Sequence, residues 1–450
     1  MADGGVMKSL IQLAAGFVVV GGAGAFFLDM GSGAAKGEID LASRKRTTKL
    51  TEKSAPAPQP KQEEQVMMND PAIHQAWGLK KSDAARAWEV TQGSRKIVVA
   101  VIDTGADVRH EDLANNIWIN PGETGKDSKG RDKATNGIDD DGDGFIDDVH
   151  GWNFVSNNSD LTDNHGHGTH IAGIIGAEAG NKKGIAGIAP QVSLMVLKYY
   201  DPKVPGTDNL RNTVNAIKYA VKMKANIINY SGGGTEFSKE EFEAIEEARK
   251  QGILFVAAAG NERSNSDKHK YFPADYGLSN IISVTAIDPS TEVLSSSNYG
   301  TETVDIAAPG QNILSTLPNS AYGYMTGTSQ ATAFVTGAAV LVMAHKDQIA
   351  AEDVKKYILA TGDQETSLLA KCRTSKQLNL FKALTVLDSG VGVSGVIAAN
   401  ATDMHKFTAD PQASLETSKS DGSMDGRAIS SFGKALLQTL EAGKNPVKKN

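Results

Sequence analysis

Lys96–Ile–Val–Val–Ala–Val–Ile–Asp103 is a short, β-branched, nearly continuous apolar run that ends in a carboxylate. Four more runs share its character: Val192 to Leu197, Ala225 to Ser231, Ile253 to Ala258 and Ile281 to Ile287. Uninterrupted apolar runs of this length suggest parallel strands buried on both faces. Helical patterns lie between them. Leu210, Val214, Ile217 and Val221 form one apolar stripe, and Ser238 with Glu241 forms a capping box ahead of Phe242 and Ile245. Strand alternating with helix predicts an α/β fold: a doubly wound, mostly parallel central sheet with helices on both faces, its site outside the carboxyl ends of the strands.

The patterned region is expected to span 69–387. Ahead of it, Leu10 to Leu28 is uncharged, follows Lys8 and passes through the small residues Gly21 to Ala25. Residues 1–29 read as a signal peptide or membrane anchor; a start at Met7 gives a charged leader with a small-x-small cleavage site at Ala23–Gly24–Ala25. Lys36, Arg44, Lys45 and Arg46 follow and disfavour translocating the far side of an anchor. The expected location is exported, secreted or in the cell envelope, with membrane contact only through residues 10–28. Residues 30–68, with Ser54–Ala–Pro–Ala–Pro–Gln–Pro60, read as a linker or short pro-segment. Residues 388–450 read as a flexible tail, apart from a short helical pattern from Phe432 to Leu440.

Composition narrows the function classes. With 40% apolar and 22% charged residues and 46 glycines among 450 residues, the chain suits a turn-rich globular protein. A net charge of -7 lacks the basic footprint of a nucleic-acid binder. The single Cys372 rules out an intramolecular disulfide and reads as a structural thiol.

Three segments set a reactive side chain among glycines: Val101–Ile–Asp–Thr–Gly105, His167–Gly–Thr–His–Ile–Ala–Gly173 and Gly327–Thr–Ser–Gln–Ala–Thr–Ala–Phe–Val–Thr–Gly337. An aspartate at a strand end is ordinarily a turn former, and a serine opening a helix is ordinarily a cap. Together, in this order, they resemble the three signatures of the subtilase family. The resemblance covers roughly Asn69 to Leu387 and extends to Ala257–Ala–Ala–Gly–Asn261, Asn229–Tyr–Ser–Gly–Gly–Gly234 and Val304–Asp–Ile–Ala–Ala–Pro–Gly310. It implies a serine endopeptidase acting on protein or peptide substrates. Ser329 would be the nucleophile, His167 its general base and Asp103 the group that fixes the imidazole tautomer. By the same resemblance the Asn261 amide and the Ser329 backbone N–H serve the oxyanion, and Ser231, Gly232, Gly233 and Gly234 pair with an extended substrate.

The sequence departs from the family in two places. Gln330 stands where many members have an oxidisable methionine, and Ala333 stands where proline is usual. The first predicts greater resistance to peroxide, and the second restores a backbone N–H to the helix.

Asp139–Asp–Asp–Gly–Asp–Gly144 followed by Asp147 and Asp148 resembles the start of a calcium loop, with Asp139, Asp141, Asp143 and Asp147 as candidate ligands for a structural calcium. His150 occupies the twelfth position where an EF-hand supplies glutamate, and a solvated acidic turn is the alternative. Two other readings stay open. His165, His167 and His170 have an H-x-H-x-x-H spacing that could hold zinc in a metallohydrolase. A non-catalytic binding protein on a peptidase scaffold is the third.

Overall fold

The computed structural model describes residues 69–389, except Asp347. The expected leader, linker and most of the tail, including the 432–440 pattern, lie outside the described residues. Among those described, no helix is long and apolar enough to cross a membrane.

The strands are β1 (Gly93–Asp103), β2 (Gly151–Asn153), β3 (Gln191–Lys198), β4 (Ile227–Tyr230), β5 (Leu254–Ala258), β6 (Ile281–Ile287), β7 (Ile306–Pro309), β8 (Ile313–Leu317), β9 (Ala321–Met325), β10 (Asp363–Gln364) and β11 (Lys376–Gln377). The helices are α1 (Trp77–Lys81), α2 (Ala84–Val90), α3 (His167–Gly176), α4 (Asn209–Lys222), α5 (Lys239–Lys250), α6 (Thr328–His345), α7 (Ala351–Thr361) and α8 (Leu380–Ser389). Helix α8 runs past the expected boundary at 387. Each of the five apolar runs coincides with one strand of the sheet to within a few residues.

Nine strands form one sheet in the order β10-β11-β7-β6-β5-β4-β1-β3-β2, and β8 with β9 forms a separate antiparallel hairpin. Within the large sheet only the β10–β11 pair is antiparallel. The chain lays β2 and β3 on one side of β1, then crosses to place β4 on the other. This reversal opens a crevice at the carboxyl ends of β1 and β4, where doubly wound sheets bind ligands.

Alternation along each strand explains why both faces are apolar. Val99 and Val101 join one core with Leu194, Val196, Val256 and Val284, while Ala100 and Ile102 join the other with Met195, Leu197, Ile228 and Phe255. Helices α3 and α6 contribute to the first core, and α4 and α5 to the second. Helix α6 is buried nearly all round, which accounts for its weak apolar periodicity.

Two local expectations are modified. In α4, Val214 and Ile217 are buried, but Leu210, in the first turn, is 42% exposed and lines the cleft. The capping box is half formed: the Glu241 N–H donates to Ser238 Oγ (3.2 Å), whereas the Ser238 N–H goes to Tyr276 Oη (3.3 Å) rather than to the Glu241 side chain.

The approach of α6 to the 188 region depends on Gly337, where an added Cβ lies 2.4 Å from the Ile188 Cβ. Gly337→Ala gains about 1 kcal/mol in helix propensity but inserts a methyl group into a closed contact, typically a loss of about 1–3 kcal/mol. The expected result is a lower denaturant midpoint at unchanged slope. An unchanged or higher midpoint contradicts the packing described here.

Candidate active site

Asp103 ends β1 and is almost fully buried. Its Oδ1 accepts from the Thr104 N–H (2.8 Å) and from His167 Nδ1 (2.7 Å). His167 opens α3, and the helix starts this close to the strand because residue 168 is glycine: a Cβ there meets the Gly105 carbonyl oxygen at 2.0 Å and the Asp103 Cβ at 3.1 Å. Asp163 organises the entry to the helix. Its Oδ1 accepts from the N–H groups of His165 (3.0 Å) and Gly166 (2.7 Å) and from Thr104 Oγ1 (2.8 Å), and its Oδ2 accepts from the Thr169 N–H (2.9 Å). Burial alone lowers the His167 pKa, but the charge and hydrogen bond of Asp103, helped by Asp163, leave it raised above the ordinary imidazole value.

His170 has a different role. Its Nε2 donates to the carbonyl oxygens of Ile313 (3.0 Å) and Gly323 (3.2 Å), tying α3 to the β8–β9 hairpin, and burial pushes its pKa down to about 3. The three histidines therefore do not converge on one point, because Asp103 and two carbonyls claim two of them. Among the described residues, the groups close enough to share a metal contain no histidine.

Ser329 is the second residue of α6, at the positive end of the helix. The neighbouring Thr328 N–H donates to Asn261 Oδ1 (3.1 Å). An N–H can bond only to the oxygen of that amide, so the Asn261 NH₂ group is left for the cleft that Asn261 lines. His167, Ser329, Asn261 and Ser231 to Gly234 share one cleft of about 2130 Å³. The Ser329 hydroxyl donates to the Ser231 carbonyl (3.3 Å), not to the imidazole. Beyond it, Gly234 and Phe272 exchange backbone hydrogen bonds (2.9 and 2.7 Å), which holds the glycine segment extended. Gln330 is buried in the cleft wall, and Ala333 lies in the buried body of α6.

The acidic loop forms two carboxylate groups that share Asp141: Asp139 with Asp141 and Asp143, and Glu123 with Asp141 and Asp148. Asp147, a candidate ligand by sequence, belongs to neither. It sits in the left-handed region (φ 54°) and turns its carboxylate to the Gly137 N–H (3.2 Å). In the second group, Glu123 and Asp148 are fully buried. Glu123 Oε1 accepts from the Asp140 N–H (2.7 Å) and the Asp141 N–H (3.2 Å), while Oε2 is buried without a hydrogen bond. Asp148 accepts from Asn120 Nδ2 (2.8 Å) and from Tyr219 Oη, yet burial pushes its pKa up to about 6. Nothing in the spacing of Glu123, in a Pro–Gly turn well ahead of the loop, signals this role. Asp148 was visible only as half of a doublet.

A family model described as "Subtilase family" matches residues 94–381. The major intracellular serine protease of Bacillus subtilis (strain 168) is 37% identical over 271 residues, 60% of this chain and 76% of that protein. Thermitase of Thermoactinomyces vulgaris is 35% identical over 275 residues, 61% of this chain and 84% of the relative. A solved protease structure from Pseudoalteromonas arctica PAMC 21717 superimposes with a TM-score of 0.57 at 25% identity, covering 71% of this chain and 99% of that one. With a parallel sheet of this order and a histidine, a serine and an asparagine on one cleft at its carboxyl edge, the chain belongs to the subtilase family of serine peptidases.

Proposed function

We propose that the protein is an endopeptidase that cleaves polypeptides through Asp103, His167 and Ser329 and a covalent acyl-enzyme. The observation that carries this reading is the 2.7 Å bond from His167 Nδ1 to Asp103 in a cleft that Ser329 also lines. With the proton held on Nδ1, Nε2 keeps its lone pair and is the base. Substrate entry is expected to turn the Ser329 hydroxyl from the Ser231 carbonyl to Nε2, since such bonds often tighten only in the complex. Ser329 then attacks the carbonyl carbon as His167 takes its proton. The oxyanion is met by the Asn261 NH₂ group and the Ser329 N–H, and the start of α6 adds its dipole. His167 returns the proton to the leaving amine, and water activated by the same ring releases the acyl group. A cleft of about 2130 Å³ exceeds the range of about 300–1,000 Å³ usual for small-molecule sites and suits an extended chain paired with Ser231 to Gly234.

The acidic loop fits a structural calcium. Calcium takes hard oxygen ligands, and the buried, unbonded Glu123 Oε2 beside Asp141 and Asp148 is the kind of atom a cation would satisfy. Such an ion would neutralise the loop and leave the chemistry to the triad.

A fluorophosphonate probe is expected to label the native protein, while Ser329→Ala loses both labelling and peptide hydrolysis. Chelator-sensitive hydrolysis without labelling would indicate a metallohydrolase, and neither activity nor labelling a binding module. Asn261→Ala should lose about 2.7–4 kcal/mol of transition-state stabilisation, chiefly in kcat, a range established for this type of donor in subtilisin itself. For calcium, chelation should lower Tm reversibly and Asp141→Asn should abolish that response; ligand at about 100 times Kd stabilises by about 2.7 kcal/mol. A Tm indifferent to chelation and to added calcium removes the ion from the account.

A further inference from the structure

The chain leaves β5 at Ala258 and turns through residues 259–264, the stretch that carries Asn261. Backbone groups that the sheet no longer pairs need other partners here. One distant residue supplies most of them. Asn298, on the loop that follows β6, is 1% exposed. Its Oδ1 accepts from the N–H groups of Glu262 (3.0 Å) and Ser264 (3.0 Å). Its Nδ2 donates to the Ala259 carbonyl (2.8 Å) and to Glu262 Oε2 (2.7 Å), and its main-chain N–H donates to the Gly260 carbonyl (2.9 Å). The amide of an asparagine has two donor hydrogens and two acceptor lone pairs, so a single turn uses all four.

This clamp is anchored in the sheet and fits closely. The Asn298 carbonyl accepts from Thr285 Oγ1 (2.8 Å) on β6, every residue of which is buried. Glycine at 260 admits the clamp: its φ is 102°, and a Cβ there would lie 2.4 Å from Asn298 Nδ2 and from Glu262 Oε2. From the other side, the Thr328 N–H holds Asn261 Oδ1 (3.1 Å). The backbone on either side of Asn261 is thus tied through Asn298 to β6, and its side chain is tied to the start of α6. Asn298 itself is not among the residues that line the cleft, so it reaches the reaction only through the turn it holds.

A hydrogen-bond donor stabilises an oxyanion in proportion to how well it is fixed before charge develops, because a donor that must be gathered during the reaction spends its energy on ordering. We propose that Asn298 is a positioning residue for catalysis, holding residues 259–264 so that the Asn261 NH₂ group is preorganised for the oxyanion. Serine is too short to span the turn, and aspartate keeps the acceptor but replaces both donations by repulsion from the Ala259 carbonyl and the Glu262 carboxylate. This inference rests on the proposed reading of Asn261 as an oxyanion donor.

The test is a double-mutant cycle on the full chain, with Asn298→Ser and Asn261→Ala alone and together. Peptide hydrolysis is normalised to the Ser329 that a fluorophosphonate labels at completion, which removes any unfolded fraction from the comparison. Asn298→Ser is expected to lower kcat about tenfold with KM within about twofold, part of the hundredfold or more that loss of such a donor costs. In the Asn261→Ala background the same change should lower kcat by less than about twofold, because the group it positions is gone. An equal loss in both backgrounds, or a native kcat for Asn298→Ser, overturns the proposal. Should Asn298→Ser not fold, Asn298→Asp takes its place in the cycle. Adding Glu262→Gln then returns a donor to the new carboxylate and should recover part of kcat, whereas no recovery and an equal loss in both backgrounds refute the clamp. A native kcat for Asn261→Ala refutes the oxyanion reading instead, and the role of Asn298 falls with it.

Discussion

The bond between His167 Nδ1 and Asp103 Oδ1 joins the last residue of β1 to the first residue of α3. Much of the surrounding structure serves to make that junction short and rigid. Parallel neighbours on both sides fix the carboxyl end of β1, glycine at 168 lets α3 begin against it, and Asp163 gathers the loose N–H groups of the approaching chain. A carboxylate this deeply buried is tolerated because it is hydrogen-bonded, and the bond in turn selects which imidazole nitrogen faces the cleft.

Much of this was legible in the sequence. Five apolar runs announced the parallel sheet, since strands buried on both faces have no polar side to interrupt them, and the topological rule for such sheets pointed to their carboxyl ends. Asp103, His167, Ser329 and Asn261 could be singled out because each lies in a local glycine-rich pattern that serves strand-to-helix geometry. What stayed hidden depends on contacts between distant segments. Leu210 satisfies helical periodicity, yet in the first turn of α4 it lines the open cleft rather than the core. Asp147 and Asp148 are adjacent and chemically identical, and only backbone conformation turns one toward Gly137 and the other inward to Asn120 and Tyr219. Glu241 looked like a capping residue until Tyr276, far along the chain, supplied the competing hydroxyl.

The scaffold and the recognition surface follow different logic. Apolar burial and main-chain ladders specify the scaffold. Charge is concentrated in the acidic loop, where Glu123 and Asp148 lie buried beside Asp141.

The central claim is that the imidazole held by Asp103 controls the reactivity of Ser329, and the most direct measurement follows both groups in one protein. The rate of Ser329 modification by a fluorophosphonate is recorded against pH, and the His167 ionisation is followed by NMR over the same range. Because Asp103 raises the His167 pKa, the rate should climb as the imidazolium loses its proton, with a midpoint above the ordinary imidazole value of about 6.5 and coincident with the NMR transition. Modification at a constant rate through the His167 transition would contradict the account.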